Sequence, residues 1–387
     1  MISVENLYWI LFENLLKPTN ITCTYYHPFG TTNALIRNEF DTPQWPNDQG
    51  LVLFHYDQEP IYSHDQNNIF FGANGVSSNY FKAPRILANS ERSSLKKKIC
   101  ADESLLDWYY FYHGFAALDW YRDAQYLDVD LGISNAFCSL NNLVTDKRSY
   151  RMALTARLVD RDIFDCGTVS FNADWHDCYR ETQSSHSELS VTDKKLIIEH
   201  LVDKKIQHLS VDRYQIDGNA SARFGVQEYV LKQKSFLHVV NETVYFDTKH
   251  HLTEKIFQPI VHMRPFILVC SPGSLGYLRD YGFKTFDRFI NEDYDLILDH
   301  SARLDAIADE IHRIARLSHT QLKEMLGDMQ EILRFNKLHF FNEFKHIIVE
   351  ELVENFQQCL RIWNNGRIKY GCQLHPNLAQ AKKILLS

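Results

Sequence analysis

The chain of 387 residues has no long apolar run. No stretch approaches the roughly 18 apolar residues that cross a bilayer as a helix, so no membrane span is expected. The opening segment MISVENLYWILFENLL is apolar but interrupted by Glu5, Asn6, Glu13 and Asn14, and it lacks a basic start and a small-residue cleavage site. It reads as a helix or buried edge, not as a signal peptide. No CxxC pair occurs among the eight cysteines, which lie dispersed at 23, 100, 138, 166, 178, 270, 359 and 372. That pattern speaks against a disulfide framework or a zinc site and fits a reduced, cytoplasmic compartment. Cys138, Cys166 and Cys270 stand inside apolar strand-like runs, where a free thiol behaves as a small hydrophobe. An excess of basic charge is missing too. With 41 Lys+Arg against 49 Asp+Glu, the formal charge of −8 disfavours a generally basic nucleic-acid binder. Lys96-Lys97-Lys98, Lys194-Lys195 and Lys204-Lys205 read as solvated helix faces. A Gly-rich dinucleotide fingerprint, an internal repeat and low-complexity tracts are likewise absent.

What is present is ample for two cores. Apolar residues make up 45% of the chain and aromatic residues 13%. The length exceeds the usual single domain, which sets an expectation of two α/β domains. The boundary is expected near residue 130, in the crossover YLDVDLGISN, with a second domain over 131–335 and a terminal helical segment over 336–387 that crosses back to the first domain. In the first part LVLFHYDQEPIY opens as a buried strand whose polar end falls where ligands bind in open α/β sheets. Ser90 is expected to cap a helix starting at Glu91. YYFYHGFAALDWYRD is aromatic-dense, with Gly114 allowing close approach. In the second part AFCSLNN, a polar turn, a helix carrying Met152, Leu154, Leu158 and Val159, and the strand GTVSFN form a β-turn-α-β unit. Residues 173–233 read as a helical insertion before FLHVVNET resumes the sheet; beyond 291 apolar spacing near 3.6 predicts helices almost throughout.

The most informative stretch is VNETVYFDTKHHLTEKIFQPIVHMRPFILVCSPGSLGYLRDYGFKTF, residues 240–286. It reads as strand, loop, helix, strand, loop, helix. Thr253 can cap the first helix, and Glu254 in its first turn complements the dipole. Lys255 beside it is less expected, and an anion at the helix start would rationalise it. Ser271-Pro272-Gly273-Ser274 makes a tight turn, read either as N–H groups lining a cleft or as a plain αβ turn. Lys147-Arg148 lies in the turn after AFCSLNN, and a planar guanidinium holds phosphate oxygens bidentately.

This stretch resembles the C-terminal signature of the α-1,3-fucosyltransferase family, nucleotide-sugar enzymes of the GT-B architecture with two facing Rossmann-like domains. Asn241-Glu242-Thr243 stands at the family's first element and His251-Leu252-Thr253-Glu254-Lys255 at its second. Two departures are evident: Glu and Asn of the first element are in swapped order, and His251 occupies the family's Tyr position. The likeness is specific over about 50 residues, and the whole layout is more loosely similar to uncharacterised glycosyltransferases of tailed phages and marine bacteria. The resemblance implies that Glu254 holds a nucleotide ribose and that Lys255 and Arg148 meet the diphosphate. Glu242 is then a candidate for a ribose or sugar hydroxyl, and Tyr245 and His251 for the base.

Inverting sugar transfer needs a base for the acceptor hydroxyl. The family takes a Glu from its first domain; Glu59, before Pro60, is the first choice here and Asp57 the second. Asp128-Val129-Asp130 spells a metal-binding Asp-x-Asp, but its place in the crossover makes a metal site unexpected, and no cofactor beyond the sugar donor is implied. The acceptor is expected to be a saccharide or other small hydroxyl compound. A phage-type enzyme acting on hydroxymethylated pyrimidines in DNA, and an inactive sugar- or nucleotide-binding protein, are the alternatives.

Overall fold

The computed structural model describes Leu7 and residues 23–26, 51–61, 85–92, 105–126, 132–207, 209, 234–366 and 377–386. The chain is α/β and divides into two compact units, Met1–Asp119 with Glu343–Ser387, and Trp120–Asn342. The division thus falls at 119/120 where the sequence suggested 130, and the terminal segment begins at 343 where it suggested 336. The reason is local: Trp120 ends a helix, so the crossover starts earlier than its polar stretch indicates.

The first unit has a parallel sheet in the order β1 (Cys23–Tyr26), β2 (Leu51–Tyr56), β3 (Arg85–Asn89) and β4 (Leu105–Tyr109). Strands of a parallel sheet read as near-continuous apolar runs, as the LVLF of LVLFHY does. Ser90 does not cap a helix. Its hydroxyl donates to Tyr110 O at 2.7 Å and accepts from Tyr112 N at 2.8 Å, which ties the end of β3 to helix α1 (Tyr112–Trp120). Arg92 lies in a β-bridge, so no helix begins at Glu91.

The second unit has a parallel sheet in the order β6 (Gly167–Val169), β5 (Asn135–Ser139), β7 (Ser235–Asn241) and β8 (Phe266–Val269). Strand β5 leads through helix α2 (Tyr150–Asp160) to β6 on one side. Strand β7 is buried at every residue and leads to β8 on the other. Between them lie α3 (Trp175–Gln183) and α4 (Val191–Ile197), each opened by a capping box, Asp174 with Asp177 and Ser190 with Asp193. A buried ion pair holds this insertion down: Arg157 of α2 meets Asp193 at 2.8 Å and Asp305 at 2.8 Å. After β7 come α5 (Phe257–Val261), then α6 (Ser274–Asp280) beyond β8, and α7 (His300–Ala315), α8 (His319–Asp328) and α9 (Gln330–Asn342).

Helix α10 (Phe344–Gly366) belongs to the first unit, where it covers β4. Trp108 Nε1 donates to Leu352 O at 3.2 Å and Asn355 Nδ2 to Tyr109 O at 2.9 Å. Gly114 is required there: a Cβ on it would stand 2.9 Å from Phe344 Cζ. Helix α11 (Leu378–Leu386) lies against α10 through the Lys382–Glu350 pair and buries Ala381 and Leu385. Among the described residues no helix is long and apolar enough to cross a membrane.

Candidate functional site

The second sheet changes its winding direction between β5 and β7, because β6 lies on one side of that pair and β8 on the other. Loops leaving the carboxyl ends of two such strands diverge to opposite faces and open a crevice, the usual ligand position in α/β sheets. The loop after β5 carries Asn141 to Arg148, and the loop after β7 carries Glu242 to Lys255. The two segments singled out in the sequence therefore leave from the two strands that flank the switch point.

Both loops are built from polar contacts. Glu242 is fully buried, and its two carboxylate oxygens accept from Thr253 N at 3.1 Å and Thr253 Oγ1 at 2.6 Å. Thr253 in turn caps the following turn and accepts from Lys255 Nζ at 3.0 Å. On the other side Arg151, buried in α2, donates to Leu143 O at 2.7 Å, Asn241 O at 2.9 Å and Glu242 O at 3.0 Å. Tyr150 adds a hydrogen bond to the same Glu242 carbonyl. One arginine thus fastens the β5 loop to the end of β7, and Glu242 passes that anchorage on to Thr253 and Lys255.

Arg148 sits half-buried in a 3-10 turn, Asp146–Arg148, which begins at φ 54° for Asp146. That left-handed residue is held by its N–H, which donates to Glu181 of α3 at 3.2 Å. The helical insertion therefore braces the turn that bears Arg148. Burial pushes the Glu181 carboxyl above its ordinary value of 4.5, opposed by the bond from Asp146.

The structure alters several assignments. Both carboxylate oxygens of Glu242 are engaged by Thr253 inside the protein, so it is not presented to a sugar hydroxyl. Tyr245 is 1% exposed and donates to His300 O at 2.7 Å, and His251 is fully buried. Burial takes both away from a base. Glu254 and Lys255 remain half-buried at the surface, 3.7 Å apart. The helix they open is a single 3-10 turn, Glu254–Ile256, followed by the five residues of α5, so its dipole is small. Charge at this point rests on the lysine more than on the helix. The Ser271–Ser274 turn is already occupied: Gly273 N donates to Asp295 O at 2.7 Å, and Leu275 N to the Asp295 carboxylate at 3.1 Å. An internal carboxylate fills the position that the sequence offered to a ligand. Asp128 and Asp130, like Lys96 to Lys98, lie outside the described residues.

In the first unit the two proposed bases differ in setting. Asp57 is fully buried, with the Tyr110 hydroxyl donating to it at 2.6 Å. Glu59 is half-buried. The loop between is pinned at both ends, since His113 Nε2 lies 3.0 Å from Gln58 O and Glu91 accepts from Ile61 N at 2.7 Å. The contacts of Glu91, expected as a helix start, and of Tyr110, within the aromatic-dense run, follow only from side-chain reach between neighbouring strands.

The chain matches no family model, no curated protein and no solved structure.

Proposed function

We propose that the chain is a nucleotide-sugar-dependent glycosyltransferase of the GT-B type, with Arg148 and Lys255 as the donor-binding cations and Glu59 as the acceptor base. The observation that carries this reading is the switch point between β5 and β7, whose two loops bear Arg148 and Lys255. Two cations at the carboxyl edge of a parallel sheet suit a diphosphate. Their role in the reaction is electrostatic, stabilising the charge that develops on the departing nucleoside diphosphate. Glu59 takes the proton from the attacking hydroxyl as its oxygen bonds to the anomeric carbon and the bond to the diphosphate breaks. Asp57 is the poorer base, being buried and already bonded to Tyr110. The acidic balance of the chain favours a saccharide or another small hydroxyl acceptor over DNA.

The experiment is calorimetry with a panel of nucleotide sugars and nucleoside diphosphates. Lys255→Ala and Arg148→Ala should each weaken binding, because a charge-assisted contact contributes roughly 1.5–3 kcal/mol. Glu59→Gln should abolish transfer and leave nucleotide affinity in place. Unchanged affinity in both cationic variants removes the donor site. Binding of hydroxymethylated duplex DNA with a steep salt slope, and labelled sugar on that DNA, moves the acceptor assignment to nucleic acid.

A further inference from the structure

An aromatic shelf lies beside the switch point, on the loop that leaves β7. Tyr150 and Tyr245 stack inside the protein at 4.3 Å and 19°, with the Arg303 guanidinium 4.3 Å from the Tyr245 ring. Phe246 and His300 border this stack and are both half-buried, with ring centroids 5.3 Å apart at 87°. Phe246 also meets Tyr150 at 80° and Tyr245 at 85°, so all its ring contacts are edge-to-face and no ring of the described residues lies parallel to it. Two exposed leucines stand on backbone that Arg151 and Arg303 hold. Leu143 is 54% exposed, with its carbonyl held by Arg151, and Leu298 is 72% exposed, with its carbonyl held by Arg303. Apolar side chains this exposed, on backbone this firmly tied, suit a surface that a flat ring covers.

The tautomer of His300 follows from its neighbour. Arg303 Nη2 lies 3.3 Å from His300 Nδ1, and a guanidinium only donates. Nδ1 is therefore the acceptor, and the imidazole is neutral with its proton on Nε2. Burial, reinforced by the Arg303 charge, lowers its pKa below the ordinary 6.5, which agrees with a neutral ring. The carbonyl of His300 is fixed by the Tyr245 hydroxyl. Nε2–H makes no hydrogen bond within the described residues, so the ring offers one oriented donor.

From these observations we infer that Phe246 and His300 form the base-binding end of the nucleotide site: Phe246 stacks on the base, and His300 Nε2–H donates to a ring carbonyl. The ligand is a nucleoside diphosphate with a keto base, such as uracil or guanine. This inference rests on the donor site proposed above, to which the shelf is joined by contacts: Phe246 touches Tyr150, whose neighbour Arg151 holds Glu242, and Glu242 holds Thr253 beside Lys255. It replaces Tyr245 and His251, both interior, with the ring next in sequence and one from α7.

The test uses the full chain with UDP, GDP, ADP and inorganic pyrophosphate as calorimetric probes. Phe246→Leu keeps apolar volume and removes the aromatic face. It should weaken UDP or GDP about tenfold, within the range for a lost base–aromatic stack, and leave pyrophosphate affinity unchanged. Phe246→Tyr should retain nucleotide affinity. His300→Leu should narrow the preference for the keto base over ADP, and His300→Gln, which keeps a donor, should restore it. Lys255→Ala should weaken nucleotides and pyrophosphate alike. If Lys255→Ala weakens nucleotide binding while Phe246→Leu and His300→Leu do not, the base site is wrong and the phosphate site stands. If the native chain binds none of the four probes, both are wrong.

Discussion

Thr253 shows how a single side chain sets a site that it does not itself charge. Its N–H and O–H both end on the buried carboxylate of Glu242, and its oxygen receives the Lys255 ammonium. Glu242→Ala would strand a buried amide and a buried hydroxyl, each costing about 1–3 kcal/mol when left unsatisfied. The variant should melt lower and bind nucleoside diphosphate more weakly than the native chain, whereas Thr253→Ser, which keeps both donors, should do neither. Native-like affinity and melting temperature in Glu242→Ala would show that the hub neither holds the fold nor orients Lys255. At this scale residue order marks the loop but not which of its side chains turn inward. Glu242, Tyr245 and His251 stand in a loop pattern that suggests exposure, and nothing in residue order says that Arg151, Arg303 and a stacked tyrosine draw the loop inward. Phe246 was hidden for the same reason: its half-exposure depends on His300, 54 positions further along the chain.

Among the elements, the insertion α3–α4 has the least obvious purpose from sequence and a clear one in the fold. Glu181 of α3 accepts the N–H of Asp146, the left-handed residue that starts the Arg148 turn, so a surface helix braces a site loop. Glu181 also supplies a pH signature. Burial raises its folded pKa above 4.5, so the folded chain keeps this proton over a range where the unfolded chain has lost it. Stability from this group is then fully present below 4.5 and falls as pH rises through the folded value. Glu181→Gln removes that dependence while preserving an oxygen for Asp146. The melting temperature of the variant minus that of the native chain should grow from pH 4.5 to pH 7, and a difference that is flat or shrinks over that interval would contradict the assignment. The elements themselves were largely legible, since the largely apolar runs of β5, β7 and β8 and the 3.6-residue spacing of the late helices mark them directly. Two were not. The helix expected at Glu91 gives way because Ser90 is drawn to Tyr110 and Tyr112 across the sheet, and the helix at Thr253 is cut to one turn plus the five residues of α5.

At the scale of the whole molecule, the chain is cut unequally. The second unit is one continuous segment, Trp120–Asn342, whereas the first is assembled from Met1–Asp119 and Glu343–Ser387. The return of the last segment to the first unit matches the expectation from sequence, and the contacts of α10 show that it covers β4. Those contacts are substantial: α10 packs Phe356 4.6 Å from Trp108 and Phe344 6.0 Å from Phe111, and closes over Gly114. Exposing large apolar side chains costs about 1.5–3 kcal/mol each, and a domain holds only about 5–15 kcal/mol in all. Removing α10 from β4 and α1 therefore uncovers several such side chains and takes away a large part of the first unit's stability. Residues 120–342 expressed alone should melt cooperatively and bind the same nucleoside diphosphate as the full chain. Residues 1–119 alone should show no cooperative melt and should regain one when residues 343–387 are supplied. A cooperative transition in 1–119 by itself would mean that the first sheet is stable without α10, and the packing argument built on Trp108, Phe111 and Gly114 would fail.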